Sequence, residues 1–238
     1  MQTTTTSPRT LSSGTAGVLN LGTFQRWAPI AGIVFVALMI VGSRLVGDIP
    51  LPDASDREIA DYLADGGRQT TNLVGAYLWV LGALAFLWFL VRLVGDLRRA
   101  EGGSGALSTL ASAAGVTFAA VWMGSAAAYA AVPYSVAWRD APVTDTDLVR
   151  VLPPLGRLAL LLGGGFSGIV LIVAAAAVIL KTGVFPRWLA WLGIALSIVL
   201  LFDVVYVTIW PFWLWVLIAS FVMLARRGGR QQPATTQE

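Results

Sequence analysis

The chain has 238 residues, 57% hydrophobic and only 12% charged, with a formal net charge of +3 and neither histidine nor cysteine. That composition excludes an ordinary water-soluble domain and predicts an all-α, polytopic membrane helix bundle. It also excludes an imidazole base, a thiolate nucleophile, a soft-metal site and disulfides, and the basic residues form no aromatic-interleaved groove of the kind that binds nucleic acid.

Residues 1–26 open with a Thr-, Ser- and Gly-rich stretch too polar to bury a core, which predicts a disordered segment. A secretory signal would have a basic start closely followed by a short apolar run, so the first apolar helix is expected to be retained. A bilayer core roughly 30 Å thick takes about 20 apolar residues per helix. Six stretches fit or nearly fit: 27–47, 72–93, 107–132, 155–181, 187–207 and 211–226. The last is short, but Trp210, Trp213 and Trp215 supply interfacial anchors. One transmembrane domain over 27–226 and a polar tail over 227–238 follow.

Between the first two stretches lies DASDRE, whose spacing departs from a calcium loop. Ser55 and Glu58 instead form an S-x-x-E capping box ahead of Ile59, Tyr62 and Leu63 on one face, with a stop at Gly66-Gly67. This predicts a short amphipathic surface helix. A weaker copy follows the third stretch: Thr144 and Asp147 precede Leu148, Val151 and Leu152, with a stop expected at Pro153-Pro154.

The third and fourth stretches space small residues for close helix packing, with Gly115 and Gly124 on one and Gly164 and Gly168 on the other. The first and fifth share F-x-R-W-x4-G-I, at Phe24 to Ile33 and Phe185 to Ile194. That pattern is expected either from a duplicated hairpin or from common membrane-entry chemistry, Arg at the headgroups and Trp just inside.

Basic residues set the orientation. With both termini cytoplasmic, the inner face holds ten basic and three acidic residues and the outer face six basic and ten acidic, charges of +7 and −4. The positive-inside bias therefore places residues 1–26 and 227–238 in the cytoplasm and the two short amphipathic helices outside, in a multi-pass plasma-membrane protein. The basic inner face suits anionic headgroups, so membrane lipids are the expected contacts. The outer loops are the surface left open for a protein partner.

Gly165-Phe166-Ser167-Gly168 reads G-x-S-G and resembles the nucleophile motif of rhomboid intramembrane proteases. Those enzymes activate serine with a histidine, which is missing here. The single lysine, Lys181, is fourteen residues along the same helix, about 21 Å away. Ser167 is expected to bond a carbonyl one turn back, with no catalytic residue in the chain, no metal site and no cofactor.

SDREIADYLADGG, GAYLWVLGALAFLWFL and VFPRWLAWLGIAL mark a broader resemblance, over about 26–226, to a group of uncharacterised six-helix integral membrane proteins of actinobacteria. The resemblance implies the architecture and the plasma membrane, but no activity and no functional residue.

The deepest charges are Arg44, seventeen residues beyond Trp27, and Asp203, fifteen beyond Trp188, roughly 25 and 22 Å from the inner interface. Burying them singly is costly, so Arg44 and Asp203 are expected either to pair across neighbouring first and fifth helices, with Arg157 as the competing cation, or to reach headgroups separately. These three form the candidate outer polar cluster. A noncatalytic membrane component, accessory, sensor or lipid-contacting scaffold, is the expected function; the alternative is a small transporter or channel with an outward-facing polar pocket, and an intramembrane enzyme stands third.

Overall fold

The computed structural model describes residues 21–47, 49–50, 52–139, 146–203 and 209–228. Among them every regular element is helical: α1 (Leu21–Val46), α2 (Asp56–Ala64), α3 (Gly66–Glu101), α4 (Ala106–Arg139), α5 (Thr146–Ala159), a π-helical turn (Leu160–Gly165), α6 (Phe166–Thr182), α7 (Arg187–Asp203) and α8 (Trp210–Gly228). Four runs, Trp27–Val46, Gly66–Glu101, Ala106–Ala137 and Asp147–Thr182, are long and apolar enough to cross a membrane; Arg187–Phe202 and Trp210–Arg226 are shorter apolar helices. The expectations for residues 1–20, 204–208 and 229–238, and the helix start expected at Thr144, lie outside the described residues.

The helices form a closed ring in chain order. α1 packs on α3, α3 on α4, α4 on α6, α6 on α7 and α7 on α8, and α8 closes the ring against α1. Chain-consecutive neighbours follow from short connections, since three residues, 103–105, separate Gly102 from α4. That hairpin is locked by its own sequence. Gly102 adopts φ 61°, a left-handed value that glycine reaches without strain. The Glu101 carboxylate then accepts from the N–H groups of Leu107 (2.9 Å) and Ser108 (2.8 Å), satisfying two orphan donors at the start of α4.

The centre of the ring is aromatic. Phe118 of α4 lies 4.2 Å from Phe212 of α8 and 5.1 Å from Phe86 of α3, and Phe35 of α1 lies 5.2 Å from Phe86. All four are fully buried. Where lipid is as apolar as the core, such packing acts through van der Waals contact rather than release of water.

Glycine sets the closest helix approaches. A Cβ on Gly75 of α3 would fall 2.7 Å from the Val46 nitrogen and 2.8 Å from the Gly42 oxygen, so α1 and α3 meet backbone to backbone. Gly32 of α1 and Gly193 of α7, the matched glycines of the F-x-R-W-x4-G-I pattern, both receive α8: Ser220 lies against Gly32 and Trp215 against Gly193. The shared pattern thus seats one helix between two others.

The four glycines expected to pack divide. A Cβ on Gly115 would meet Leu90 of α3 at 2.5 Å, and one on Gly168 would meet Phe212 of α8 at 2.9 Å. Gly164 is in ordinary contact with Ile209 at 3.9 Å, whereas Gly124 is exposed with nothing within 4 Å. Gly124 is therefore no packing residue among the described surroundings. The α4 contact is made through Gly163, whose Cβ would lie 3.0 Å from Val121, and through Gly156, whose Cβ would lie 3.1 Å from the Ser125 oxygen.

The expected stop at Pro153-Pro154 is absent, because Asp147–Thr182 is one helical run. Each proline removes an N–H and leaves a carbonyl one turn back without its partner. Continuation is supported by packing of this run on α4, where Gly156 fits under Tyr129. The first short helix starts as its sequence predicts: the Ser55 nitrogen donates to Glu58 Oε2 (2.8 Å), the Glu58 nitrogen donates to Ser55 Oγ (3.3 Å), and Ile59 and Tyr62 are buried. Its stop differs, because Gly66-Gly67 open α3 and the break falls at Asp65, whose side chain accepts from the Arg68 N–H as the cap of α3.

Candidate functional site

The end of the bundle that carries α2 and the start of α5 holds most of its polar chemistry. Ile59 and Tyr62 of α2 pack with Val132 of α4 and Val149 of α5 in a small apolar cluster separate from the main core. Polar bonds surround it. Gln69 Nε2 donates to the Tyr62 carbonyl at 2.7 Å. Two carbonyls can only accept, so the Asn72 amide nitrogen faces the Leu45 and Val46 oxygens at the end of α1, and its oxygen accepts from the Tyr62 hydroxyl at 2.7 Å. Asn72 thereby caps orphan carbonyls of one helix while holding another.

Arg150 of α5 ties down the start of α2 from the opposite side. Its guanidinium donates to the Ala54 carbonyl (3.0 Å) and to Asp56 Oδ1 (2.8 Å). Burial raises the Tyr62 phenol above its ordinary range, opposed by its bonds with Asn72 and Gln69 and by the Arg68 charge. Glu58 is held below the usual carboxylate range by the Ser55 N–H first and the Ser55 hydroxyl second.

Two clefts open at this end and share a wall, Ile49 and Pro50, in the connection between α1 and α2. One, about 610 Å³, is lined by Asp53, Glu58, Asp61, Tyr62 and Arg68. The other, about 640 Å³, lies between Gly47, Ile49, Pro50 and Pro52 on one side and Tyr129, Pro153, Pro154, Arg157, Leu158 and Leu161 on the other. The first cleft carries three carboxylates and one guanidinium, Arg68, among its described lining residues. Among its described lining residues the second presents a single charged group, Arg157, beside Tyr129 and apolar and proline walls.

Tyr129 floors the second cleft and begins a continuous aromatic column. Its ring stands edge-on to Trp79 at 5.3 Å, Trp79 stands edge-on to Trp122 at 6.0 Å, and Trp122 lies 5.5 Å from Phe118 at the centre of the bundle. Trp79 also donates from Nε1 to Ser43 Oγ of α1 at 3.2 Å.

Of the candidate polar cluster, the structure describes the surroundings of Arg44 and Arg157 only. Arg44 is exposed on the last turn of α1 and does not line the second cleft, whereas Arg157 does. Asp203 ends α7, and its side chain lies outside the described residues. The expected adjacency of the first and fifth apolar helices gives way to a different order, because α8 stands between α1 and α7 and packs on both. Tyr129 and the proline walls escaped the sequence reading; the one available signal was Pro153-Pro154 within reach of Arg157 on the same helix.

Ser167 is the second residue after the π-helical turn. Its Oγ reaches the Gly163 carbonyl at 2.6 Å and the Gly164 carbonyl at 3.0 Å, so the hydroxyl proton is committed to backbone oxygens at the widened turn. Among the described residues no group of three His, Cys, Asp or Glu side chains could hold a metal ion. Comparison with known proteins finds no matching family model, no matching curated protein and no matching solved structure.

Proposed function

We propose that the chain is a six-helix integral protein of the plasma membrane, with cytoplasmic termini and the α2–α5 end outside, and that it acts without catalysis as an accessory, sensing or lipid-contacting component. The carrying observation is the aromatic column from Tyr129 through Trp79 and Trp122 to Phe118 and Phe212. It stands against the cleft that Arg157 lines. A conducting path through lipid depth needs polar groups or water along it, and this one is filled by rings. Ser167, with its proton bonded to two carbonyls and no imidazole in the chain, supports the absence of acyl-transfer chemistry.

The alternative, a small transporter with an outward-facing pocket, draws on the cleft itself. Reconstitution separates the two. Protein-containing liposomes are expected to pass ions and small anions no faster than empty ones. Flux that rises with protein content would replace this proposal with the transporter. Orientation is tested independently by single cysteines, R9C, G102C and T236C: an impermeant thiol reagent should label them only after lysis, and labelling of all three in intact cells would reverse the assigned topology.

A further inference from the structure

We propose that the cleft floored by Tyr129 is a binding site for the phosphate-bearing headgroup of an anionic lipid, with Arg157 as its counter-ion. The proposal rests on the membrane placement given above and adds a ligand class to that same outer end. Arg157 makes no hydrogen bond or ion pair among the described residues, and the Tyr129 hydroxyl makes no hydrogen bond among them. A guanidinium matches phosphate with parallel donors, and a phenol adds a third donor. The cleft across the Ile49–Pro50 wall carries Asp53, Glu58 and Asp61 against one cation, Arg68, so its net negative charge disfavours the same ligand and biases the anion to the Arg157 side of that wall.

Depth and shape point to a lipid as the source of the phosphate. Arg157 precedes Lys181 by twenty-four residues on a single helical run, about 36 Å, so the two cations stand at opposite headgroup levels of one bilayer. From the cleft rim an exposed apolar stripe descends the same run: Leu158 (51% exposed), Leu162 (47%), Phe166 (46%), Val170 and Val173. Leu158 belongs both to the cleft lining and to the stripe. A headgroup in the cleft therefore leaves its acyl chain on a surface already facing lipid, with no further opening of the bundle. A free phosphate would use the cation and the phenol but gain nothing from Leu158.

The test is thermal unfolding of the purified full chain in a neutral detergent, titrated separately with short-chain phosphatidylglycerol, phosphatidylcholine of the same chain length, and inorganic phosphate. Phosphatidylglycerol should raise the unfolding temperature saturably, phosphatidylcholine should not, and phosphate should need far higher concentrations. R157Q should weaken the phosphatidylglycerol response by about tenfold or more while keeping the ligand-free unfolding temperature, and R157K should recover part of it. L158S should weaken phosphatidylglycerol without altering any phosphate response, a readout that bulk detergent effects would not reproduce. Equal responses to phosphatidylglycerol and phosphatidylcholine, or an unchanged response in R157Q, would overturn the site. Equal potency of inorganic phosphate would assign the cleft to a free anion and overturn the lipid. Each result is independent of liposome flux, so loss of the lipid site and loss of the noncatalytic proposal are separable.

Discussion

The α2–α5 end and the middle of the bundle solve the same problem, holding helices together, by opposite means. At the α2–α5 end, contact runs through named polar bonds: Asn72 to the α1 carbonyls and Tyr62, Gln69 to the Tyr62 carbonyl, and Arg150 to Ala54 and Asp56. In the middle, contact runs through shape: rings at the centre and glycines where backbones touch, with the hydroxyls of Ser167 and Ser220 turned back onto their own helices. Several buried polar atoms there, Trp122 Nε1, Trp213 Nε1 and Trp215 Nε1 among them, have no hydrogen-bond partner among the described residues. Polar bonds specify which groups meet, whereas packing specifies only how near they come. The α2–α5 end is thus open to single-bond edits with graded effects, and the middle to steric edits with abrupt ones.

The most severe edit is expected at the α1–α3 contact. Gly75→Leu drives a side chain into the Val46 and Gly42 backbone, which cannot yield as a rotamer would, and should cost at least about 3 kcal/mol. It would register as loss of a monodisperse folded species in detergent. Gly124→Leu, at an exposed position with nothing within 4 Å, should stay within about 0.5 kcal/mol. If the two variants behave alike, steric contact is not what distinguishes the middle of the bundle.

Next comes Asn72→Leu, which strands two α1 carbonyls and the Tyr62 hydroxyl and should cost about 1–3 kcal/mol. Thermal unfolding and protease sensitivity of the 53–65 segment would both report it. Arg150→Met removes an ion pair with a largely exposed Asp56 and should cost less, about 0.2–1 kcal/mol, diminishing as salt rises. A larger, salt-independent loss would mean that the bond to Ala54 dominates. Ser167→Ala should fall within about 1 kcal/mol, with no labelling of the wild type by a serine-directed fluorophosphonate.

The smallest effect is one of pH. The folded phenol of Tyr62 titrates above its unfolded value, so its contribution is fully present below the ordinary phenol range near 10 and is lost as pH rises through the folded value. Tyr62→Phe should abolish that alkaline loosening of the α2–α5 end while leaving the middle of the bundle unchanged. Alkaline unfolding of identical shape in both proteins would place the titrating group elsewhere.

Several features were legible in residues alone because their physics is local. Apolar run length predicted where helices would lie, and four of those runs have full spanning length. The Ser55–Glu58 box predicted α2 because both partners sit three residues apart on one turn. The turn-back of the Ser167 hydroxyl was equally local. What the sequence could not determine was everything settled by a second helix. Gly115 and Gly124 look alike in the chain, yet one receives Leu90 and the other nothing, since the ring order rather than the residue decides which face is covered. Pro153-Pro154 reads as a stop until α4 packs alongside and the helix continues through it. Rise per residue predicts a common depth for Arg44 and Asp203, but their helices are separated by α8, which only closure of the ring could place between them. Depth along a helix is one-dimensional and can be counted; azimuth around a bundle depends on the summed contacts of all six helices, and only the tertiary structure decided it.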